Sequence, residues 1–351
     1  NKSLDLTQSQ KQIYVIYAGA APGTHILYLS KLFPHIKFEL YDPREFDKNL
    51  SENKNINTHV EYFTDEIASN WASDLTEHND KIMLLSGDIG NRLFDNFKAQ
   101  RPDRFFNCGV AEQNMTGMAA GLAKQGFLPV TYTIAPFCTT RCLEQIRVDV
   151  AYHNLPVTIV SVGAGLSYAG LGPTHHSFED TALLRVIPNM RVLSPADSDE
   201  LSACLEMAFA TPKPTYIRMG KKGEPDVHGR TLNAYEISTP IKLTDGEDVC
   251  LIGSGTLLPE VVKAAELLSE KGVSSSVYSL PQIKPLPAIE LLNIFSEYPV
   301  VAVFEEHSLA GGLSSACAEL LVDHQIAGTK LLRFGIPDTF YKKSGSQSFA
   351  R

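Results

Sequence analysis

The chain has 351 residues, with 31 Lys and Arg against 40 Asp and Glu, and so carries a formal net charge of −9 at pH 7. At roughly 150 residues per domain this length predicts about two domains, and the acidic balance argues against nucleic-acid binding as the main function. Hydrophobic residues make up 44% of the chain and charged residues 20%, which excludes the disordered and fibrous classes.

No apolar run approaches the length of about 18 residues that a membrane span needs, and the opening NKSLDLTQSQKQ lacks the apolar core of a signal peptide. We therefore expect a cytoplasmic protein without membrane contacts. The six cysteines are scattered along the chain, so reduced thiols are expected. Cys138 and Cys142 have no further ligand pair at suitable spacing, and no metal site is predicted from them.

Two polar segments rich in turn formers, residues 48–58 and 220–236, divide the chain into three blocks. They predict an N-terminal fragment over 1–58, a central domain over 62–222 and a smaller C-terminal domain over 237–351. Each block therefore needs its own interpretation.

The N-terminal block begins with a buried strand at 13–18, a Gly-rich turn, a helix and a second strand at 37–42. This order predicts a β-α-β, Rossmann-like fragment.

The central block alternates strands and helices. A strand at 81–88 is followed by a small-residue helix at 111–126, a helix at 139–153 and a helix at 199–210, with further strands between them. The C-terminal block repeats the alternation. Elements of these lengths predict an α/β fold whose parallel sheets are covered on both faces.

Glu112 is the first candidate for chemistry. It begins a helix, AEQNMTGMAAGLAKQG, whose following turns are almost entirely Gly, Ala and Met. A carboxylate with apolar neighbours is partly desolvated, which suits a group that shares a proton with a ligand nitrogen. The alternative is an acid without function that the helix dipole favours at an N-terminus.

The stretch DRFFNCGVAEQNMTGMAAGLA, residues 103–123, resembles the cofactor helix of the transketolase family. The similarity continues through GPTHHSFEDTALLRVIPNMRVLSPAD, residues 172–197, and covers roughly residues 62–351. It implies a pyrimidine-binding domain for thiamine diphosphate followed by a transketolase C-terminal domain. It also implies a transferase that moves a two-carbon ketol unit between sugars or sugar phosphates.

The resemblance assigns four residues to the cofactor. Glu112 hydrogen-bonds the aminopyrimidine ring and so promotes deprotonation of the thiazolium carbon. Phe137 stacks on that ring, Ile134 is a second apolar wall, and Asp88 is an acid nearby. The alternative for Phe137 is a core aromatic.

Two further residues are assigned to the substrate by the same resemblance. His175, in GPTHH, contacts substrate oxygen and moves protons, tasks that an imidazole suits near neutral pH. Arg218, in TYIRMGK, grips the sugar phosphate with its planar fork of donors. The alternatives are a loop histidine with a structural hydrogen bond and a surface arginine.

Three positions depart from the family's pattern, because Gly163, Gly170 and Leu171 stand where relatives carry polar groups for substrate hydroxyls. The identity of the donor and acceptor sugars is therefore not predicted. A catalytically silent scaffold is kept as an alternative function.

The family binds the diphosphate and Mg²⁺ through a separate domain with a GDG motif and a later Asn, which this sequence lacks. The resemblance therefore implies the C-terminal half of a split transketolase. Such a chain needs a partner subunit that supplies the diphosphate and Mg²⁺ site, and an α₂β₂ assembly is expected.

Residues 13–47 suggest a different class. A strand, a GxxPG turn, a helix and a strand that ends in Asp resemble the start of poxvirus-type cap 2′-O-methyltransferases, which bind S-adenosylmethionine. Gly19 and Gly23 would let the backbone approach the ligand, and Asp42 would bind ribose hydroxyls. The later strands of that fold cannot be placed, so a truncated or fused fragment is expected. An RNA cap methyltransferase, or a regulatory subunit of poly(A) polymerase, is the alternative function.

Overall fold

The computed structural model describes residues 13–18, 36–41, 50, 54, 56–59, 81–90, 92–221, 223–342 and 345–351. The chain divides into two compact units, Asn1–Asp74 and Leu75–Arg351. The predicted joint at 48–58 needs correction, because its last residues enter strand Ile56–His59 in a sheet of the first unit.

Three parallel strands form the sheet of the first unit: β1 Ile13–Ala18, β2 Ile36–Tyr41 and β3 Ile56–His59. Ile13 is in register with Ile36, and Phe38 with Ile56. The predicted pair of strands is therefore present and parallel. The helix predicted between them lies outside the described residues.

A seven-stranded sheet forms the centre of the second unit, with the strand order β13-β8-β9-β7-β6-β4-β5. Its strands are β4 Ile82–Ser86, β5 Phe105–Asn107, β6 Leu128–Ile134, β7 Thr158–Val162, β8 Arg191–Leu193, β9 Thr215–Met219 and β13 Gln282–Lys284. All neighbours are parallel except β13, which runs antiparallel to β8. The near-continuous apolar runs of these strands suit a sheet that is covered on both faces.

Helices connect these strands. They are α1 Asp95–Gln100, α2 Glu112–Lys124, α3 Ala135–Cys138, α4 Leu143–Gln145, α5 Asp180–Arg185 and α6 Ser198–Ala210. Short 3₁₀ turns lie at Pro102–Arg104, Ala169–Leu171, Glu236–Ser238 and Gly255–Leu257.

The helix predicted over 139–153 is wrong in its start and its continuity. Helix α3 begins earlier, and Thr139 interrupts it by donating its hydroxyl to the Ala135 carbonyl. Residues Ile146–Ala151 are π-helical, as shown by the bond from the Tyr152 N–H to the Arg147 carbonyl. The bond from the Thr139 hydroxyl explains the end of α3, because a hydroxyl that bonds to the carbonyl four residues earlier destabilises and bends a helix.

The C-terminal part of the second unit has a five-stranded sheet in the order β10-β12-β11-β14-β15. Its strands are β10 Ile241–Thr244, β11 Val249–Gly253, β12 Ser275–Ser279, β14 Val300–Ser308 and β15 Lys330–Ile336. Its helices are α7 Leu258–Ser269, α8 Ala288–Glu297, α9 Leu313–Asp323 and α10 Gln347–Ala350. Only β10 is antiparallel to its neighbour, so the predicted α/β class holds for both parts.

One buried cluster joins the two parts of this unit, since it includes Met115, Ile146, Phe295 and Leu313, all fully buried. All six cysteines are free thiols, and five of them are buried. In the described portion of the chain we find no helix with the length and hydropathy of a bilayer span.

Candidate active site

Glu112 is the first residue of α2 and is 2% exposed. Its Oε2 atom accepts a hydrogen bond of 2.7 Å from Nη1 of Arg141. The end of β4 is close, because a Cβ atom added to Gly87 would lie 3.5 Å from Cγ of Glu112 and 2.9 Å from Oγ1 of Thr133. The carboxylate therefore lies at the carboxyl end of the central sheet, where α/β proteins bind ligands.

Arg141 is a site residue that the sequence analysis missed. Its guanidinium carbon lies 4.2 Å from the ring centroid of Phe137, and 42% of its side chain is exposed. Its carbonyl accepts a hydrogen bond from Nε2 of Gln113 on α2. In the sequence, Arg141 is marked only by its place one helical turn after Phe137. No pattern in the sequence connects it to Glu112, which lies 29 residues earlier.

Ile134 and Phe137 stand three residues apart at the point where β6 runs directly into α3. Ile134 ends the strand and packs against the core on one face of the sheet. Phe137, in the first helical turn, turns its ring toward His175, with the two centroids 5.2 Å apart. The structure thus places Glu112, Phe137 and His175 in one contiguous group, with Arg141 between the first two.

His175 lies in the loop between the 3₁₀ turn Ala169–Leu171 and α5. Burial lowers the pKa of His175 from its usual value, and the neighbouring His176 lowers it further. Its Nδ1 lies 2.9 Å from the hydroxyl of Thr174. The imidazole is therefore mainly neutral at pH 7, so one ring nitrogen can accept a proton while the other donates a hydrogen bond.

The ring of Tyr168 continues this row, with its centroid 6.0 Å from that of His175. The ammonium of Lys221 lies 5.1 Å from the Tyr168 centroid and is exposed. A cation therefore stands at each end of a row of three rings, Arg141 at one end and Lys221 at the other.

Arg218 is not at this surface, which corrects its assignment to a sugar phosphate. It is 3% exposed, and its Nε donates to Oδ2 of Asp180 at 2.7 Å. Its Nη2 donates to the carbonyls of Ser177 and Glu306, both at 2.9 Å. Burial opposes ionisation of Asp180, but the Arg218 charge prevails and lowers the pKa of that carboxyl. Arg218 is internal because β9 lies in the middle of the sheet, between β7 and β8.

Asp88 is exposed at the end of β4, with a left-handed φ of 61°, and its Oδ1 accepts from Nδ2 of Asn107 at 2.8 Å. It follows Gly87 directly and therefore lies on the Glu112 side of the sheet. No contact with a ligand follows from this position alone.

Two of the departures from the family's pattern have structural reasons. A Cβ atom on Gly163, whose φ is +95°, would lie 2.3 Å from the ring of Tyr168. Gly163 is thus required by the packing of Tyr168. A Cβ atom on Gly170 would lie 3.3 Å from the carbonyl oxygen of Gly345, whereas Leu171 is 57% exposed.

The candidate S-adenosylmethionine residues Gly19, Gly23 and Asp42 lie outside the described residues. Among the described residues, the acidic group with metal-ligand spacing consists of Asp197, Asp199 and Asp226. The Asp197 carboxylate already accepts the backbone N–H groups of Glu200 and Val227. Nothing here assigns an ion to that group.

Comparison with known proteins identifies the two domains of the second unit. Residues 63–224 match the transketolase pyrimidine binding domain, and residues 240–349 match the transketolase C-terminal domain. An apulose-4-phosphate transketolase subunit of Actinobacillus succinogenes is 31% identical over 294 residues, which are 84% of this chain and 94% of that protein. The chain belongs to the transketolase family and corresponds to its C-terminal half.

Two further relatives place it within the family. A solved structure described as a split gene transketolase, inactive beta4 tetramer, has a TM-score of 0.69 at 33% sequence identity. The match covers 79% of this chain and 90% of the chain in that structure. 1-Deoxy-D-xylulose-5-phosphate synthase 1 of Geobacter sulfurreducens is 33% identical over 273 residues, 77% of this chain but only 42% of that protein. Relatives of this chain therefore include both split and longer enzymes.

Residues 2–99 match a second family, the poly A polymerase regulatory subunit, and this match overlaps the transketolase match over 63–99. The chain therefore carries similarity to two families, whose matches overlap over residues 63–99.

Proposed function

We propose that this chain is one subunit of a thiamine-diphosphate-dependent enzyme that transfers a two-carbon ketol unit between sugars or sugar phosphates. The observation that carries the proposal is the buried Glu112 carboxylate, which Arg141 links to the Phe137 ring, with the neutral His175 against the same ring. Membership of the transketolase family supports it.

The residues around Glu112 fit an aminopyrimidine. The carboxylate can share a proton with a ring nitrogen, and Phe137 offers an aromatic face. The buried hydroxyl of Thr133 has no hydrogen-bond partner among the described residues, so this region holds an unused polar atom. When bound, thiamine diphosphate supplies a carbon nucleophile and an electron sink.

The residues of this chain then have separate roles in binding and proton transfer. Glu112 holds a proton at the ring nitrogen, and Phe137 and Ile134 form the apolar wall that orients the ring. His175 accepts a proton from a substrate hydroxyl, for which its lowered pKa suits it because the imidazole is mainly neutral at neutral pH. Lys221 takes the place assigned to Arg218, because it is the exposed cation at the Tyr168 end of the row of rings and can attract a phosphate.

A second chain would bind the diphosphate and Mg²⁺. The sequence lacks the GDG motif with its later Asn, the Actinobacillus succinogenes relative is itself a transketolase subunit, and the split-gene structure is an inactive beta4 tetramer. We propose an α₂β₂ assembly in which this chain is the β component. The similarity of residues 2–99 to the poly A polymerase regulatory subunit carries no part of the proposal, since Gly19, Gly23 and Asp42 lie outside the described residues.

The proposal is tested by mixing this chain with a diphosphate-domain subunit, thiamine diphosphate and Mg²⁺, and measuring ketol transfer from a ketose phosphate. Glu112→Ala is expected to abolish turnover, whereas Glu144→Ala, at an exposed acid of α4, should leave it unchanged. Lys221→Ala should raise KM for a phosphorylated substrate with little effect on kcat. Full activity of the Glu112→Ala complex would contradict the assigned mechanism.

A further inference from the structure

The guanidinium of Arg141 makes the two contacts that the proposed function assigns to the aminopyrimidine. It donates to Oε2 of Glu112 at 2.7 Å, and it lies over the ring of Phe137 at 4.2 Å. A guanidinium and an aminopyrimidine are both planar, both stack on aromatic faces and both donate in their own plane. A ligand that bonds the same oxygen and covers the same ring must therefore displace the arginine.

We propose that Arg141 is a positioning residue that occupies the aminopyrimidine place in the free subunit and leaves it when cofactor binds. This inference rests on the proposed function. It adds a residue that holds the carboxylate ready and keeps the aromatic face covered.

Burial explains why Glu112 needs this partner. A carboxylate that is 2% exposed is costly to keep charged without a nearby cation or donor. Arg141 supplies that cation from the surface. The carboxylate is thus held in one orientation before any ligand arrives.

The exposure of Arg141 explains how it can leave. With 42% of its side chain exposed, the guanidinium has a short path to water, where it is solvated once another donor has taken its place on Glu112. The bond from Gln113 to the Arg141 carbonyl ties the backbone to α2, so the movement needs only side-chain rotation. By contrast, the enclosed Arg218 has no such path.

Displacement of the guanidinium reduces the apparent affinity for cofactor, because part of the binding free energy is used to free the site. The test is the Kd for thiamine diphosphate with Mg²⁺, measured by calorimetry on the complex with a diphosphate-domain subunit. Arg141→Ala should lower Kd by about fivefold. Arg141→Lys keeps the charge but not the planar stack, so its Kd should lie between the Kd of the wild type and that of Arg141→Ala. Arg147→Ala, at an exposed arginine of the π-helical segment, should stay within about twofold of the wild type.

A second measurement separates displacement from a structural effect. Methylguanidinium added to the Arg141→Ala complex should refill the vacated place and raise Kd competitively, whereas the wild-type Kd should not respond. An unchanged or higher Kd for both Arg141 variants would overturn the inference while leaving the proposed function intact. If the wild-type complex binds no thiamine diphosphate, the proposed function itself fails.

Discussion

Arg141 and Arg218 each donate to a carboxylate at 2.7 Å, yet their surroundings give them different roles. The Arg218 side chain is 4% exposed and its partner Asp180 is 1% exposed, so neither charge can be solvated if the other is removed. The hydroxyl of Tyr216 also donates to Oδ2 of Asp180, at 2.6 Å. We interpret this pair as part of the framework that holds the His175 loop, since Arg218 also bonds the carbonyl of Ser177.

Asp180→Asn should therefore lower the free energy of unfolding by about 3–5 kcal/mol, because it removes the carboxylate that pairs with the buried Arg218 charge. Chemical denaturation measures this change. Asp103→Asn is the control, since that carboxylate is 72% exposed beside Arg104 and its removal should cost less than about 1 kcal/mol. Equal effects of the two substitutions would contradict the framework role.

Residues 223–235 show how a connecting segment without regular secondary structure is held in place. Nε2 of His228 lies 2.8 Å from Oε1 of Glu200, a fully buried carboxylate on α6. The same oxygen accepts the hydroxyl of Ser279 from β12. Burial works against a charged imidazole, but the bond to Glu200, helped by Asp197 and opposed by Arg230, raises the pKa of His228.

A raised pKa in the folded state means that this pair stabilises the protein fully below the ordinary His pKa of about 6.5. The contribution is lost as the pH rises through the folded value. His228→Gln should therefore lower Tm by several degrees more at pH 6 than at pH 8. His153→Gln, at an exposed histidine, should show no such difference between the two pH values. A penalty for His228→Gln that is equal at both pH values would exclude the charged pair.

At the scale of the whole molecule, the two compact units have separate sheets. The three-stranded sheet uses only β1 to β3, whereas the seven- and five-stranded sheets lie within Leu75–Arg351. β13 comes from the C-terminal part of the sequence but extends the central sheet, with Gln282 in register with Leu193. The two transketolase domains are therefore built into one unit.

Deletion of residues 1–74 should leave a folded protein whose Tm stays within about 3 °C of the parent's main transition, because both larger sheets remain whole. Deletion of residues 1–62, which keeps the full pyrimidine-domain match from residue 63, is the companion variant. Circular dichroism on heating measures both. Aggregation of both shortened chains would show that the first unit is needed for the second to fold.

The α/β class, most strand positions and the place of Glu112 at the start of α2 could be predicted from the sequence, since apolar periodicity and turn residues act over short stretches of chain. Family motifs led to His175 and Phe137, which the structure brings within 5.2 Å of each other. Tertiary structure alone decided that Arg218 is enclosed while Arg141 reaches Glu112. Which partner a charged side chain meets depends on contacts between distant segments, 38 residues apart for Arg218 and Asp180 and 29 for Arg141 and Glu112. No local pattern encodes such a pairing.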